Sequence, residues 1–355
     1  PSVGAGWLGK IGYIQASGEN LFETLMLNLT LLKDGTECWG ENKPCWELDA
    51  PKSAERTEIL QPDNPAQLLT LQSRRLLLHR ENGKVDGFSL LGGDFFPRES
   101  AFVEQMTIWR NATTKKNEPP VFVPCRHDAA KQFWREFPAV FCEEGESVRR
   151  PGVVRWVEML QNDPDCPLER KRLIRFAISG MKYGDKDFFV NDSFSDSLTF
   201  QAALLGELGR RWTVPIRDEI GRCEQAAQYV GRLAWELSLA AGDKNDTTAE
   251  SARTQFYFTI DQPFRLWLQS IDPETDKLDE KADEWQKKAR KLAAELGRQM
   301  VERAGNAAFV GHRVEVKTGG KKDEKKTVLY TAPKAYNSFL YNLRKLYPKK
   351  EGGTA

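Results

Sequence analysis

From residue 216 onward a single pattern excludes most folds. Ile216, Ile220, Cys223, Ala227, Val230, Ala234, Leu237 and Ala241 follow one another at steps of four and three. That spacing puts all eight on one stripe of a helix about seven turns long. A stripe so sustained has to be buried against other helices. The chain supplies them. Gly242 ends the first helix. Thr247 and Glu250 have the spacing of a capping box, and the segment behind them carries Phe256, Ile260, Trp267 and Ile271, with Pro263 as a point of kinking. Asp272-Pro273 opens a third helix, in which Leu278, Ala282, Trp285, Ala289, Leu292 and Leu296 again step by four and three. A basic, glycine-containing stretch, Lys317 to Lys326, precedes a fourth with Tyr336, Phe339, Leu343 and Leu346. Four amphipathic helices predict a four-helix bundle over residues 201–355.

Residues 1–200 read differently. Gly4, Gly6, Gly9, Gly12 and Gly18 punctuate an opening loop. Asn20 to Leu32 reads as a helix stopped by Gly35, and residues 36–65 are rich in proline and loop. Gln67 to Leu78 combines a helix and a strand, and Glu81-Asn82-Gly83-Lys84 predicts a hairpin turn between apolar runs. Met106 to Arg110 and Val121 to Val123 are strand-like runs around the polar loop Asn111 to Pro120. Short strands followed by long helices give an α+β class: a mixed domain over 1–200, then the bundle over 201–355.

Charge narrows the function. With 52 Lys and Arg against 51 Asp and Glu, the formal net charge is +1. A chain that coats nucleic acid unaided is far more basic, so any contact with DNA uses local patches or is shared with partners. The six cysteines show no C-x-x-C spacing, which argues against a zinc site and for a reducing compartment. No run of about 18 apolar residues predicts a membrane span. The first residue is Pro1 and no signal peptide follows, so the chain is expected to begin inside a longer protein. His79, His127 and His312 have no metal-ligand spacing, and no catalytic motif stands out. Neither a metal nor a cofactor is expected, and the chain reads as non-catalytic.

Gly4-Ala5-Gly6-Trp7-Leu8-Gly9-Lys10 fits two phosphate-binding patterns, G-x-G-x-x-G and the G-x-x-x-x-G-K part of a P-loop. Both need a strand before and a helix at once after, and a P-loop needs Ser or Thr where Ile11 stands. A nucleotide-binding enzyme is therefore the weakest reading. A loop whose bare backbone approaches a groove or a phosphate is the stronger one. Basic doublets recur, at Lys115-Lys116, Arg149-Arg150, Lys171-Arg172, Arg210-Arg211 and Lys321-Lys322. Most such doublets are solvated. Arg110, Lys115 and Lys116 stand apart because they lie in or beside a loop between strands, and a loop can project into a groove. Tyr183-Gly184-Asp185-Lys186-Asp187 is a second polar turn between apolar segments.

Taken in order, these segments resemble the CasA family, the large subunits of the type I-E CRISPR Cascade complex. The resemblance rests on Asn20-Leu21-Phe22-Glu23-Thr24-Leu25-Met26-Leu27-Asn28-Leu29, on Glu41-Asn42-Lys43-Pro44-Cys45-Trp46-Glu47, on Gly180-Met181-Lys182-Tyr183-Gly184, and on the number and order of the terminal helices. It covers the whole chain and about the last two-thirds of the family's length. It implies a non-catalytic subunit that recognises the protospacer-adjacent motif on duplex DNA, starts strand separation and docks a helicase–nuclease in the prokaryotic cytoplasm. The other partners it implies are the guide-RNA-bearing backbone, small and tail subunits. By resemblance, Gly6, Trp7, Leu8, Gly9 and Lys10 form a glycine loop at the minor groove, whose readout is degenerate. Arg110, Lys115 and Lys116 form a basic finger. Gly184, Asp185, Lys186 and Asp187 form a wedge turn, which lacks the family's glutamine and leaves Lys186 to meet the DNA backbone. Arg217, Arg222 and Arg232 are candidate contacts on the bundle. The rival is a scaffold protein with an inert glycine loop.

Overall fold

A computed structural model describes residues 12–33, 37–41, 43–47, 62–70, 74–92, 104–113, 118, 121–125, 127–142, 148–165, 168–169, 171–184, 189–243, 247–317 and 325–348. The chain divides into two compact units, Pro1–Thr213 and Val214–Ala355. The division falls inside the first long helix, where the sequence changes character near residue 200. Trp212, in that helix's first turn, is buried and belongs to the first unit.

In the first unit β1 (Tyr13–Ser17) leads to α1 (Leu21–Leu27). Asn20 caps α1, its side chain accepting from the Glu23 N–H at 3.0 Å. The helix stops at Asn28, short of the expected Leu32. The cause is tertiary: the Asn28 amide turns onto β1, accepting from Ala16 N–H at 3.0 Å and donating to Ala16 O at 2.6 Å. The chain then enters β2 (Leu32–Lys33), which pairs with β3 (Glu37–Cys38). After α2 (Pro65–Thr70), β4 (Arg74–Glu81) and β5 (Lys84–Gly92) form the expected hairpin. Asn82 and Gly83 sit at φ 51° and 76°, the left-handed pair that a two-residue turn demands. β6 (Trp109–Asn111) lies between β7 (Phe122–Pro124) and β8 (Val148–Arg149).

The core of the unit lies under a three-stranded antiparallel sheet, β1 against β9 (Leu173–Tyr183) against β10 (Val190–Gln201). Ile174, Phe176 and Ile178 alternate inward from β9, joined by Ile14, Ala16, Leu198 and Phe200. α3 (Phe137–Phe141) closes this layer, with Phe141 packing edge-on against Phe176 and Phe200 at ring separations of 5.0 Å each. α4 (Gly152–Asn162) adds Val153, Val154 and Val157.

The second unit is helical. α5 (Arg210–Ala241) ends at Gly242, whose φ of 87° suits a left-handed stop. The stripe is buried from Ile216 to Leu237, but its last member is Ala240 rather than Ala241. α6 (Thr247–Gln269) buries Phe256, Ile260, Phe264 and Trp267 and runs through Pro263. The helix begins at Thr247, and Glu250 in its first turn pairs with Arg253. Asp272-Pro273 makes a turn, and α7 (Leu278–Arg303) begins beyond it. A short α8 (Gly305–Val310) leads to a feature missed in the sequence, a hairpin of β11 (His312–Lys317) and β12 (Lys325–Tyr330). Its lysines hid its two-residue alternation. α9 (Ala332–Leu346) completes the bundle. Gly297 lets α7 approach α9 closely, since a Cβ there would lie 2.4 Å from the Phe339 ring. Cys223 is buried between Trp285 and Tyr347, and burial pushes its thiol far above the ordinary range, so it acts as a small apolar residue.

Candidate nucleic-acid interface

The roots of three segments singled out from the sequence meet in the first unit. The first is the glycine segment. Gly6, Trp7, Leu8, Gly9 and Lys10 lie outside the described residues, but Gly12 is placed, and it leads straight into β1. β1 pairs with β9 from Tyr13 opposite Ser179 to Ser17 opposite Arg175. The next residue of β9, Gly180, is therefore beside Gly12: a Cβ on Gly180 would lie 3.4 Å from the Gly12 Cα. That same Cβ would lie 2.5 Å from the ring of Phe194, the cross-strand partner of Gly180. The Phe194 ring covers the bare glycine, a pairing that offsets the weakness of glycine in a strand. His127 joins the junction, its ring 5.1 Å from that of Phe194. Burial lowers the His127 pKa and keeps the imidazole neutral.

The second root is that of the basic loop. Ile14 N–H donates to Met106 O at 2.8 Å, which ties β1 to the run entering β6. Arg110 lies on β6, opposite Val123 and Val148, and is exposed. Past Asn111 the loop's base is well anchored. Asn111 Oδ1 accepts from Thr113 N–H, Ala112 N–H donates to Val121 O, and Val121 N–H donates to Thr113 Oγ1, each at 2.8 Å. Lys115 and Lys116 lie outside the described residues.

The third root is the hairpin of β9 and β10. Beyond Gly180 it outruns β1, and Lys182 and the run from Val190 to Ser193 are exposed. Gly184 N–H donates to Phe189 O at 2.8 Å and closes the turn. Asn191 folds over Gly184, where a Cβ would lie 2.6 Å from the Asn191 Oδ1. Asp185, Lys186 and Asp187 lie outside the described residues. Sequence reasoning missed Phe189, which is 74% exposed beside the turn. An aromatic directly after a polar turn was the available signal.

Several other basic residues are occupied. Arg150 pairs with Glu158 at 2.8 Å, and Arg149 stacks over Phe122 at 4.5 Å. Arg172 binds Glu23, and that hydrogen bond holds the Glu23 carboxyl below its usual range. On the bundle, Arg217 faces Asp218 at 3.9 Å, Arg222 binds Glu219, and Arg232 pairs with Glu236 at 2.8 Å. These three were candidate DNA contacts, and each meets a carboxylate of its own helix.

Glu104 supports the junction from below. It is buried, and its Oε1 accepts from Met106 N–H at 2.9 Å. Burial raises its pKa above the ordinary glutamate value. The folded state then keeps a proton that the unfolded state releases. Stability from this group is fullest below the unfolded pKa and is lost as pH rises through the folded one. Glu104→Gln keeps the acceptor and removes the charge. Its melting temperature is expected to exceed the parent's at pH 7, and the gap to close near pH 4; thermal melts across that range check this.

Among the described residues no group of three or more His, Cys, Asp and Glu could hold a metal ion, and no helix is long and apolar enough to cross a membrane. The glycine segment runs into a strand, whereas a phosphate-cradling loop of either kind opens a helix, so the nucleotide reading loses its context.

The sequence profile of CRISPR-associated protein Cse1 matches residues 1–296. The chain belongs to the Cse1 family. Among solved structures it is similar to Thermobifida fusca Cse1, with a TM-score of 0.74 and 29% identity over 96% of this chain and 64% of that one. Acidimicrobium ferrooxidans Cse1 follows, with a TM-score of 0.67 and 22% identity over 96% and 65%. Thermus thermophilus CasA (Cse1) has a TM-score of 0.61 and 18% identity over 95% and 64%. The last two likenesses bear on the fold alone. The chain spans less than two thirds of the length of each of these Cse1 structures. No curated protein matches it. The α+β class and the terminal helices agree with the Cse1 fold.

Proposed function

We propose that this Cse1-family chain belongs to the large, non-catalytic subunit of a CRISPR RNA-guided surveillance complex of the prokaryotic cytoplasm. In this reading Gly6 to Lys10 and the finger of Arg110, Lys115 and Lys116 recognise the protospacer-adjacent motif on duplex DNA. The turn Gly184 to Asp187 starts strand separation, with Lys186 on the backbone. The guide-RNA-bearing backbone, small and tail subunits are its partners, and the subunit docks the helicase–nuclease. The first unit carries recognition, and the bundle meets neighbouring subunits. Guide pairing reads the target, so the protein has only a short motif to read.

The observation that carries this reading is the common root of the three segments at Gly12, Gly180 and Met106. A groove reader and a strand-parting turn have to act within a base pair or two of each other, and a shared, tightly packed root holds them to that spacing. A near-neutral chain is suited to local contact, with partners supplying most phosphate contacts.

The rival, a scaffold with an inert loop, makes a different forecast for Lys10→Ala, Arg110→Ala and Lys116→Ala combined. If the segments read DNA, the reconstituted complex assembles normally by size-exclusion chromatography. Its duplex binding weakens, and the salt dependence flattens by about three contacts. Unchanged duplex binding by the assembled complex would favour the scaffold.

A further inference from the structure

His127 stands where the three segments meet. It follows β7, the strand on the return side of the basic loop, whose end is fixed by Cys125 N–H donating to Ile108 O at 2.7 Å. A Cβ on Gly12 would lie 3.5 Å from the His127 Cβ, so the backbone that carries the glycine segment passes against this side chain. The His127 ring packs 5.1 Å from that of Phe194 and edge-on to Phe133 at 6.4 Å. Phe194 covers Gly180 and lies on β10, four residues beyond Val190, where the strand leaves the opening turn. Phe133 N–H donates to Asp196 Oδ2 on β10 at 2.7 Å, which holds the second ring in place.

Packing is what holds the imidazole. It is buried, and its Nδ1 has no hydrogen-bond partner among the described residues. A close-packed side chain passes on a displacement instead of absorbing it. The charged groups that face it are Glu136 from the turn Phe133–Glu136, Asp196 from β10, and its chain neighbours Asp128 and Lys131. The three carboxylates favour a proton and Lys131 opposes one, but burial outweighs them and holds the pKa below the ordinary histidine value. Protonation sets a charge against the rings of Phe133 and Phe194. Stability from the neutral imidazole is therefore present above the unfolded pKa and lost as pH falls through the folded one.

We propose that His127 is a positioning residue that couples motif reading to strand opening. Engagement of the glycine segment at Gly12, or of the basic loop at the end of β7, presses on His127, and through Phe194 on the strands that carry the turn. The inference rests on the functional reading above and names the device that links its two steps.

The test uses the complete complex with this subunit at full length and two duplexes bearing the motif. One is cross-linked across its first target pairs, so that it reports reading alone by gel shift. The other carries 2-aminopurine at the first target position and reports opening. His127→Ala is expected to bind the cross-linked duplex like the parent and to open the other at least about fivefold more slowly. His127→Phe keeps a packed ring and opens near the parent's rate at about pH 7.5. On acidification to about pH 5.5 the parent's opening slows, and that of His127→Phe slows less, because Phe does not titrate. If His127→Ala does not assemble, the pH comparison of parent with His127→Phe decides alone. Parent-like opening by His127→Ala, an equal loss of binding and opening, or the same acid response in parent and His127→Phe overturns the coupling while the functional reading stands. A parent that binds the cross-linked duplex no better than one lacking the motif overturns the reading, and the coupling with it.

Discussion

Replacing residues 185–188 with Asn-Gly removes strand opening next to the motif and leaves the first unit as stable as before. The hairpin ends are already closed by Gly184 and Phe189, at 2.8 Å, so a two-residue turn can bridge them. The described core residues of the two strands, Ile174, Phe176, Ile178, Leu198 and Phe200, all lie five or more residues from the turn. Unstacking a base step costs a few kcal/mol, and each 1.4 kcal/mol is a factor of ten. Loss of the wedge is therefore expected to slow opening at least about tenfold in the assembled complex. The glycine loop and finger spring from separate strands, so binding of the closed duplex persists. Fluorescence of 2-aminopurine at the first target position, with a melting curve on the same variant, separates the two effects. Unaltered opening would remove the turn from the mechanism.

Trp285→Ala is expected to cost about 3–5 kcal/mol, enough to unfold much of the bundle at 37 °C. Trp285 is fully buried, packs edge-on to Phe264 at 5.0 Å and lies 5.6 Å from Trp267. It also lies against Cys223 of α5, so it joins three of the four long helices. A cavity that large cannot close, because the three helices hold one another apart. The check is denaturation followed by helical circular dichroism; a loss under about 1 kcal/mol would mean the bundle repacks.

The bundle was legible because long helices announce themselves. Ile216 to Leu237 and Trp285 to Leu296 keep their period over many turns, and a core stripe of that length has one solution. The turn at Asn82-Gly83 was legible for a local reason, since few residues accept those backbone angles. What local reading could not reach was tertiary. α1 ends early because the Asn28 amide prefers Ala16 of β1 to another helical turn, a choice made twelve residues away. β11 and β12 hid inside a lysine-rich stretch because a two-stranded hairpin needs little apolar alternation. At the candidate interface, the glycines and lysines were visible as types. That Gly12 and Gly180 share one packed junction depends on the β1–β9 register, and no spacing in the sequence encodes it. The arginines of α5 looked available until their carboxylates were in place.

The central claim is that segments rooted at one junction read a motif on duplex DNA. Its most direct test is a gel-shift titration of the complete complex, reconstituted with this subunit at full length. A target duplex with the adjacent motif is compared with one lacking it, at one salt concentration. Parent and a variant replaced at Gly6, Gly9 and Lys10 are run side by side. The account predicts tighter binding of the motif-bearing duplex by the parent, and loss of that preference in the variant. Equal binding of both duplexes by the parent, or a preference that survives the substitutions, would contradict it.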